Sequence, residues 1–245
     1  GITFEGGGDL YNTSFNTIKD CGFHGAFSIG TNDHENGNTD NLIEDVWIWA
    51  SGQRIIASNY QADRNVWRRV VVRGDGCGLA ACSGSGNPNV GFTSYDSRDT
   101  STQNVILVDR ILIGTDSKYA DFATAQHTPT PSKYLGRTDW LGSMSINPPD
   151  HGFHFEADAT IPVDPTWTLK DVLVIGDGGL DGGINIGASG RLVLSNATLI
   201  TADQFGDGVR VAPGSPGTSV TNTIVKGFNR GLNSSLKPSY TDTFG

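Results

Sequence analysis

The sequence predicts an all-β protein, a right-handed parallel β-helix of about eight coils forming a single domain over residues 1–245. Three observations predict it: a composition built for turns, a short motif that recurs at near-constant spacing, and a second motif that follows it half a coil later. Of 245 residues, 33 are Gly and only one is Met. Asn, Asp, Ser and Thr crowd between short apolar runs, and helical periodicity is weak, so strands are favoured.

The first motif reads apolar residue, spacer, usually Asp or Asn, then a short β-prone run. Copies begin at Ile18, Ile43, Trp67, Leu107, Leu169, Leu194 and Val220, with a weaker copy at Leu141. The undisturbed steps of 24 to 28 residues suit a coil of three short strands and three turns, and a leucine-rich framework is absent. The third position, as in Asp20, Asp45, Asp171, Asn196 and Asn222, is placed at a turn. Asp and Asn tolerate left-handed backbone and bond to neighbouring groups; stacked, they can form a ladder.

The second motif is a small residue followed by a three-residue alternation. Ala26-Phe27-Ser28-Ile29, Gly91-Phe92-Thr93-Ser94, Gly152-Phe153-His154-Phe155, Gly183-Ile184-Asn185-Ile186, Gly208-Val209-Arg210-Val211 and Gly231-Leu232-Asn233-Ser234 carry it. Successive strand side chains face opposite sides, so the apolar members fill the interior and the middle member points out. Eight coils at sheet spacing give a rod of roughly 38 Å. Two stretches break the period: a Gly/Ser/Asn-rich loop at about 77–90 and a Thr/Pro/Ser-rich excursion at about 115–139. Long loops on a rigid scaffold are common carriers of function.

Asp and Glu number 26 against 17 Lys and Arg, a formal charge of −9. Such a surface repels phosphate backbones and anionic lipid, which argues against nucleic-acid partners, and it can attract Ca²⁺. No run approaches the roughly 20 apolar residues of a membrane span, so membrane insertion is not expected. No signal peptide is visible, and the opening GITFEGGGDLYN reads like the middle of a fold, so a piece of a longer precursor is expected. Cys77 and Cys82 can close a local disulfide, which fits an oxidising compartment, or remain two ordinary thiols. Cys21 reads as a small buried residue. A secreted or cell-surface protein is the expectation.

The coil pattern, above all NLIEDVWIWASGQRIIA followed by NVWRRVVVRGDG, resembles the secreted right-handed β-helix repeat proteins of the pectate-lyase-like superfamily. The resemblance covers nearly the whole chain and implies the fold and a leaning towards glycans. It does not imply a reaction. The polygalacturonase Asp pair, Gly-His-Gly and Arg-Ile-Lys are absent; only Asn38-Thr39-Asp40 matches part of that signature. The pectate-lyase Trp-Ile-Asp-His and Arg-x-Pro-x-x-Arg patterns are also missing, the nearest string being Trp47-Ile48-Trp49-Ala50.

Three groups of residues are candidates for chemistry. In Asp150 to Asp158, Phe153 and Phe155 point inward, so His154 and Glu156 project from one outer face, continued by Asn185 and Arg210 on later coils. His154 can act as acid or base, and Arg210 or Arg137 can neutralise a uronate carboxylate. The same residues also suit a plain solvated wall. Asp177, Asp181, Asp203 and Asp207, in glycine-rich turns, can bind Ca²⁺, act as a carboxylate pair, or simply shape turns. Trp47 and Trp49 share one strand face and offer a sugar-stacking platform, while core packing is the competing use for the tryptophans.

Two function classes follow. One is a non-catalytic extracellular surface or fibre-forming subunit that associates with itself, head to tail or laterally, and contacts polysaccharide. The alternative is a polysaccharide lyase or glycoside hydrolase acting on an acidic glycan through His154, Glu156 and Arg210. No cofactor is required by either, with Ca²⁺ as an option.

Overall fold

A computed structural model describes the chain except residues 31–37, 51–54, 75–89, 96, 98, 110–119, 127–136, 149–150, 158–165, 177–181, 188–190, 203, 205, 213–216, 234–238 and 245. The described residues contain strands and no helix, and every strand pairing is parallel. The protein is a parallel β-helix. Each coil contributes to three walls, and the coil around Trp47 shows how.

The strand Leu42–Ala50 runs through two walls and bends at Asp45, whose φ is 54°. The strand Ile55–Tyr60 then forms the third wall. Residues before the bend join the first wall, with Thr100–Gln103, Arg137–Leu141, Thr166–Lys170 and Arg191–Ser195. Residues after it join the second wall, with Ile106–Asp109, Met144–Ile146, Leu173–Gly176 and Thr198–Thr201. The third wall is a separate sheet of nine strands from Gly8–Tyr11 to Arg230–Asn233.

The bend repeats at Asp20, Asp45, Arg69, Asn104, Asp171, Asn196 and Asn222, all with φ between 48° and 57°, and at Gly142 with φ 62°. The Asp/Asn position of the first motif is therefore a left-handed corner, as its chemistry predicts. Side chains climb from corner to corner: Asn222 Nδ2 donates to Asn196 Oδ1 at 2.7 Å, and Asn196 Nδ2 to Asp171 Oδ1 at 2.9 Å.

Register corrects two of the expected copies. Trp67 pairs Thr102, and Thr102 pairs Trp140. The copy placed at Leu107 therefore begins at Thr102, with its corner at Asn104 rather than Asp109, and the copy placed at Leu141 begins at Trp140. A buried threonine stands where an apolar anchor was expected, and it is satisfied because its Oγ1 donates to Asp139 O at 2.9 Å. The excursion expected over 115–139 is not all loop either: Ala120–Gln126 is a third-wall strand, and Arg137–Leu141 begins the next coil. Residues 77–89 of the first interruption, with Cys77 and Cys82, lie outside the described residues.

The interior is a column of stacked rings. Centroids run Phe4–Phe23 at 5.2 Å, Phe23–Phe27 at 4.5 Å, Phe27–Trp67 at 5.7 Å, Trp67–Phe92 at 4.7 Å, Phe92–Trp140 at 5.3 Å and Trp140–Phe153 at 6.1 Å. Edge-to-face contacts dominate from Phe27 onward, the arrangement that ring quadrupoles favour. Beside the column a buried asparagine ladder crosses coils: Asn16 Nδ2 donates to Asn41 Oδ1, and Asn41 Nδ2 to Asn65 Oδ1, each at 3.0 Å. Cys21 is free and half-buried rather than enclosed; burial pushes its thiol up, and the Asp20 carboxylate adds to that.

Candidate binding wall on the nine-stranded sheet

The second motif builds the third wall as read. Phe27, Ile29, Phe153, Phe155, Ile184, Ile186 and Val209 are buried, while Ser28, His154 and Asn185 are half-buried and Arg210 is exposed. Thr93 departs from this pattern: it occupies a middle position yet is buried. The small residue has a steric cause. A Cβ at Gly152 or Gly208 would run into Val174 or Val225 of the second wall, and one at Gly183 would collide with the Gly208 carbonyl and press on Leu199. Only glycine lets the two walls meet this closely.

Register puts His154, Asn185, Arg210 and Asn233 side by side on four coils. A parallel row holds His151, Gly182, Asp207 and Arg230. Between the rows, Gly152 and Phe153 both face the core, and the pairing passes from His151 to Phe153. This bulge-like step keeps both imidazoles on one side, their ring centroids 6.0 Å apart. The His151 ring lies over Gly182, where a Cβ would also press on the Asp207 carbonyl.

Hydrogen bonding then fixes what the wall offers. Asn185 Nδ2 donates to His154 Nδ1 at 2.9 Å. This bond ties the imidazole to the next coil. Asp207 is held by Arg230, with Nε at 2.5 Å and Nη2 at 3.1 Å, and by Asn233 Nδ2 at 2.6 Å. Arg210 has no hydrogen-bond or ion-pair partner among the described residues. The His154 imidazole and the Arg210 guanidinium stand two coils apart, roughly 10 Å, on a wall where Asp207 is already engaged. Glu156 shares the strand His151–Ala157; its side chain lies outside the described residues.

The other candidates fall elsewhere. Trp47 and Trp49 share the outer face of the second wall: Trp47 is 54 % exposed, and Trp49 is half-buried, stacked on His24 at 5.5 Å and lying over Gly22. Arg137 starts a strand of the first wall, and its side chain is not among the described residues. Asn185, Arg137 and the Trp pair therefore belong to three different walls. Trp67, Trp140 and Trp167 are core residues. Asp177, Asp181 and Asp203 lie outside the described residues, and among those described no three His, Cys, Asp or Glu side chains converge as a metal site would require. Asn38 and Asp40 serve the fold: Asn38 Oδ1 accepts from Thr13 N at 2.7 Å, and Arg64 grips Asp40 at 2.7 and 2.9 Å, holding its carboxyl below the usual range.

A charge cluster on the first wall was not singled out in the sequence. Glu44 receives Arg69 at 2.5 Å, Arg68 at 2.6 Å and Lys19 at 3.3 Å, and Arg69 also chelates Asp45 at 2.7 and 2.8 Å. Desolvation pushes the Glu44 carboxyl up, but the Arg69, Arg68 and Lys19 donors together outweigh it and hold it below its ordinary value. The charges neutralise one another across three coils, which marks a fastening rather than a ligand site. The signal was present in Lys19-Asp20, Glu44-Asp45 and Arg68-Arg69 occupying equivalent motif positions.

No family model, no curated protein and no solved structure matches this chain.

Proposed function

We infer that this is a non-catalytic extracellular β-helix subunit that assembles end to end and presents its third wall to acidic glycans. The observation that carries the assembly reading is the regular parallel stacking of the coils, in which each strand continues the ladder of the one before. Ile2–Glu5 and Gly8–Tyr11 each pair a strand on one edge only among the described residues. The interior column runs out to that edge, leaving Ile2 68 % and Phe4 47 % exposed. At the other end, Ser239–Phe244 and Arg230–Asn233 also pair on one edge only. Parallel edges of equal spacing can continue each other's ladders. A head-to-tail contact of that kind is heterologous and grows into open filaments. The net charge of −9 keeps such rods apart sideways at low salt.

The glycan part rests on the donors of the third wall. The Arg210 guanidinium, exposed and without a hydrogen-bond or ion-pair partner among the described residues, suits carboxylate acceptors, as on a polyuronate. The resemblance to secreted β-helix proteins supports the same direction.

Electron microscopy and sedimentation of the full chain test assembly: filaments that lengthen with concentration are expected, and the Ile2→Lys, Phe4→Lys double variant should abolish them. Non-polymerising wild-type protein would overturn the reading. For the wall, polygalacturonate binding should weaken at least several-fold in Arg210→Ala and with added salt.

A second reading, a polysaccharide lyase or glycoside hydrolase, is favoured by the same row of His154, Asn185 and Arg210. Release of unsaturated uronates or new reducing ends from an acidic glycan, lost in His154→Ala, would establish it in place of the first.

A further inference from the structure

The outer faces of the three walls differ in kind. The first carries the Lys19–Glu44–Arg68 charges and the third carries the His–Asn–Arg row. The second wall carries an apolar patch on its central coils. Register aligns Trp47, Val71, Ile106, Met144, Leu173 and, beyond Thr198, Ile224 in one outward column over seven coils. None is buried, and Ile224 is 46 % exposed. In the neighbouring column Ile146, Ile175 and Ile200 adjoin one another, Ile175 being 37 % exposed. Over these seven coils the first column carries no charged residue, and Asp242 follows Ile224 on the next coil.

We propose that this face packs against the same face of a second copy, related by a two-fold axis. Three features select that occupant. The face is a flat, repetitive sheet surface, and two such surfaces can stack about 10 Å apart with side chains interleaved. Seven coils of the first column with three of the second, whose register continues to Arg73 and Lys226, give roughly 34 by 7 Å plus 14 by 7 Å, or about 670 Å² for the pair before side-chain relief is counted, the size of a weak, transient contact. A sugar chain is a poorer occupant, because its hydroxyls need partners and Val71, Ile106, Met144 and Leu173 offer none. A two-fold contact uses the same patch on both copies and closes at the dimer, so it is separable from end-to-end growth. The proposal extends the self-assembly reading to a second surface and does not require the ends to pair.

The salt dependence has a definite sign. Each copy carries −9, so screening removes repulsion while apolar contact is retained. Dimerisation should tighten several-fold between low and high salt, opposite to glycan binding at the third wall.

Sedimentation velocity of the full chain from about 1 to 100 μM, the range suited to a small reversible interface, tests this. A dimer that strengthens with salt is expected. The Ile175→Lys, Ile224→Lys double variant should be monomeric with an unchanged cooperative unfolding transition. The Ile2→Lys, Phe4→Lys variant should keep the dimer and lose only longer species. Tryptophan emission should shift to the blue on association, and that shift should vanish in Trp47→Ala. A wild-type protein without dimer at any concentration, or a dimer indifferent to both Lys substitutions on the second wall, would overturn the proposal. Loss of filaments alone bears on the ends and leaves this face untouched.

Discussion

Asn196 sits one coil above Asp171 at the same left-handed corner, with φ of 54° and 57°, and ties to it through Nδ2 to Oδ1 at 2.9 Å. One side chain thus solves two problems. It tolerates a backbone conformation that most L residues avoid, and it spends its amide on the next corner. Replacing Asn196 by Ala removes that bond and the one received from Asn222, and should cost about 2 kcal/mol. Asn196→Gly keeps the backbone freedom and should cost about half as much. Urea unfolding measures both, and equal losses would argue against a conformational contribution.

Gly227 closes another corner, with φ 81°, where a Cβ would collide with the Thr201 carbonyl. Strain and clash act together and the obstacle is backbone, so Gly227→Ala should lose more stability than Asn196→Gly, on the order of 3 kcal/mol. A thermal melt comparing the two variants checks the order.

Asn65 is wholly buried and fully used: its Nδ2 donates to Asn59 Oδ1 at 3.1 Å and Asn38 O at 2.8 Å, and its Oδ1 accepts from Asn41 N at 2.9 Å and Nδ2 at 3.0 Å. Asn65→Ala strands several buried partners and should cost about 2–4 kcal/mol. Asn65→Asp keeps the shape but donates nothing and adds a buried charge, so it should be worse at neutral pH. Equilibrium denaturation of the two variants shows which holds.

Much of the architecture was legible because solenoid sequence is periodic. The corner rule followed from Asp and Asn chemistry, and the third-wall alternation from strand geometry. The errors lie where a polar residue replaces an apolar anchor. Thr102 is silent to a hydrophobic pattern, and Asp109 imitates a corner five residues late; only the pairing of Thr102 with Trp67 and Trp140 reveals the register. The wall around His154 could be read as a row, but its bond to Asn185 could not, because it depends on the register between coils. The apolar face of the second wall was hidden for the same reason: its members are scattered 24 to 38 positions apart in the chain.

The first-wall cluster sets a pH response. Glu44, Asp45 and Asp40 all have carboxyls held below their ordinary values in the fold: Asp45 and Asp40 chiefly by Arg69 and Arg64, and Glu44 by its three cations against desolvation. Groups with lowered folded-state values stabilise fully above the unfolded carboxylate range, and that contribution is lost as pH falls through the folded values. Stability should therefore be flat from neutral pH down to about 5 and decline below about 4. Glu44→Gln should flatten part of that decline in acid melts. A variant profile identical to the wild type would remove Glu44 from the account.

End-to-end pairing is tested most directly by amide hydrogen exchange resolved along the chain at low and high protein concentration. The account predicts that amides in Ile2–Glu5 and Gly8–Tyr11, which pair on one edge only among the described residues, gain protection as concentration rises, in step with filament length. The same amides exchanging equally fast at both concentrations, in a protein otherwise protected through its central coils, would contradict it.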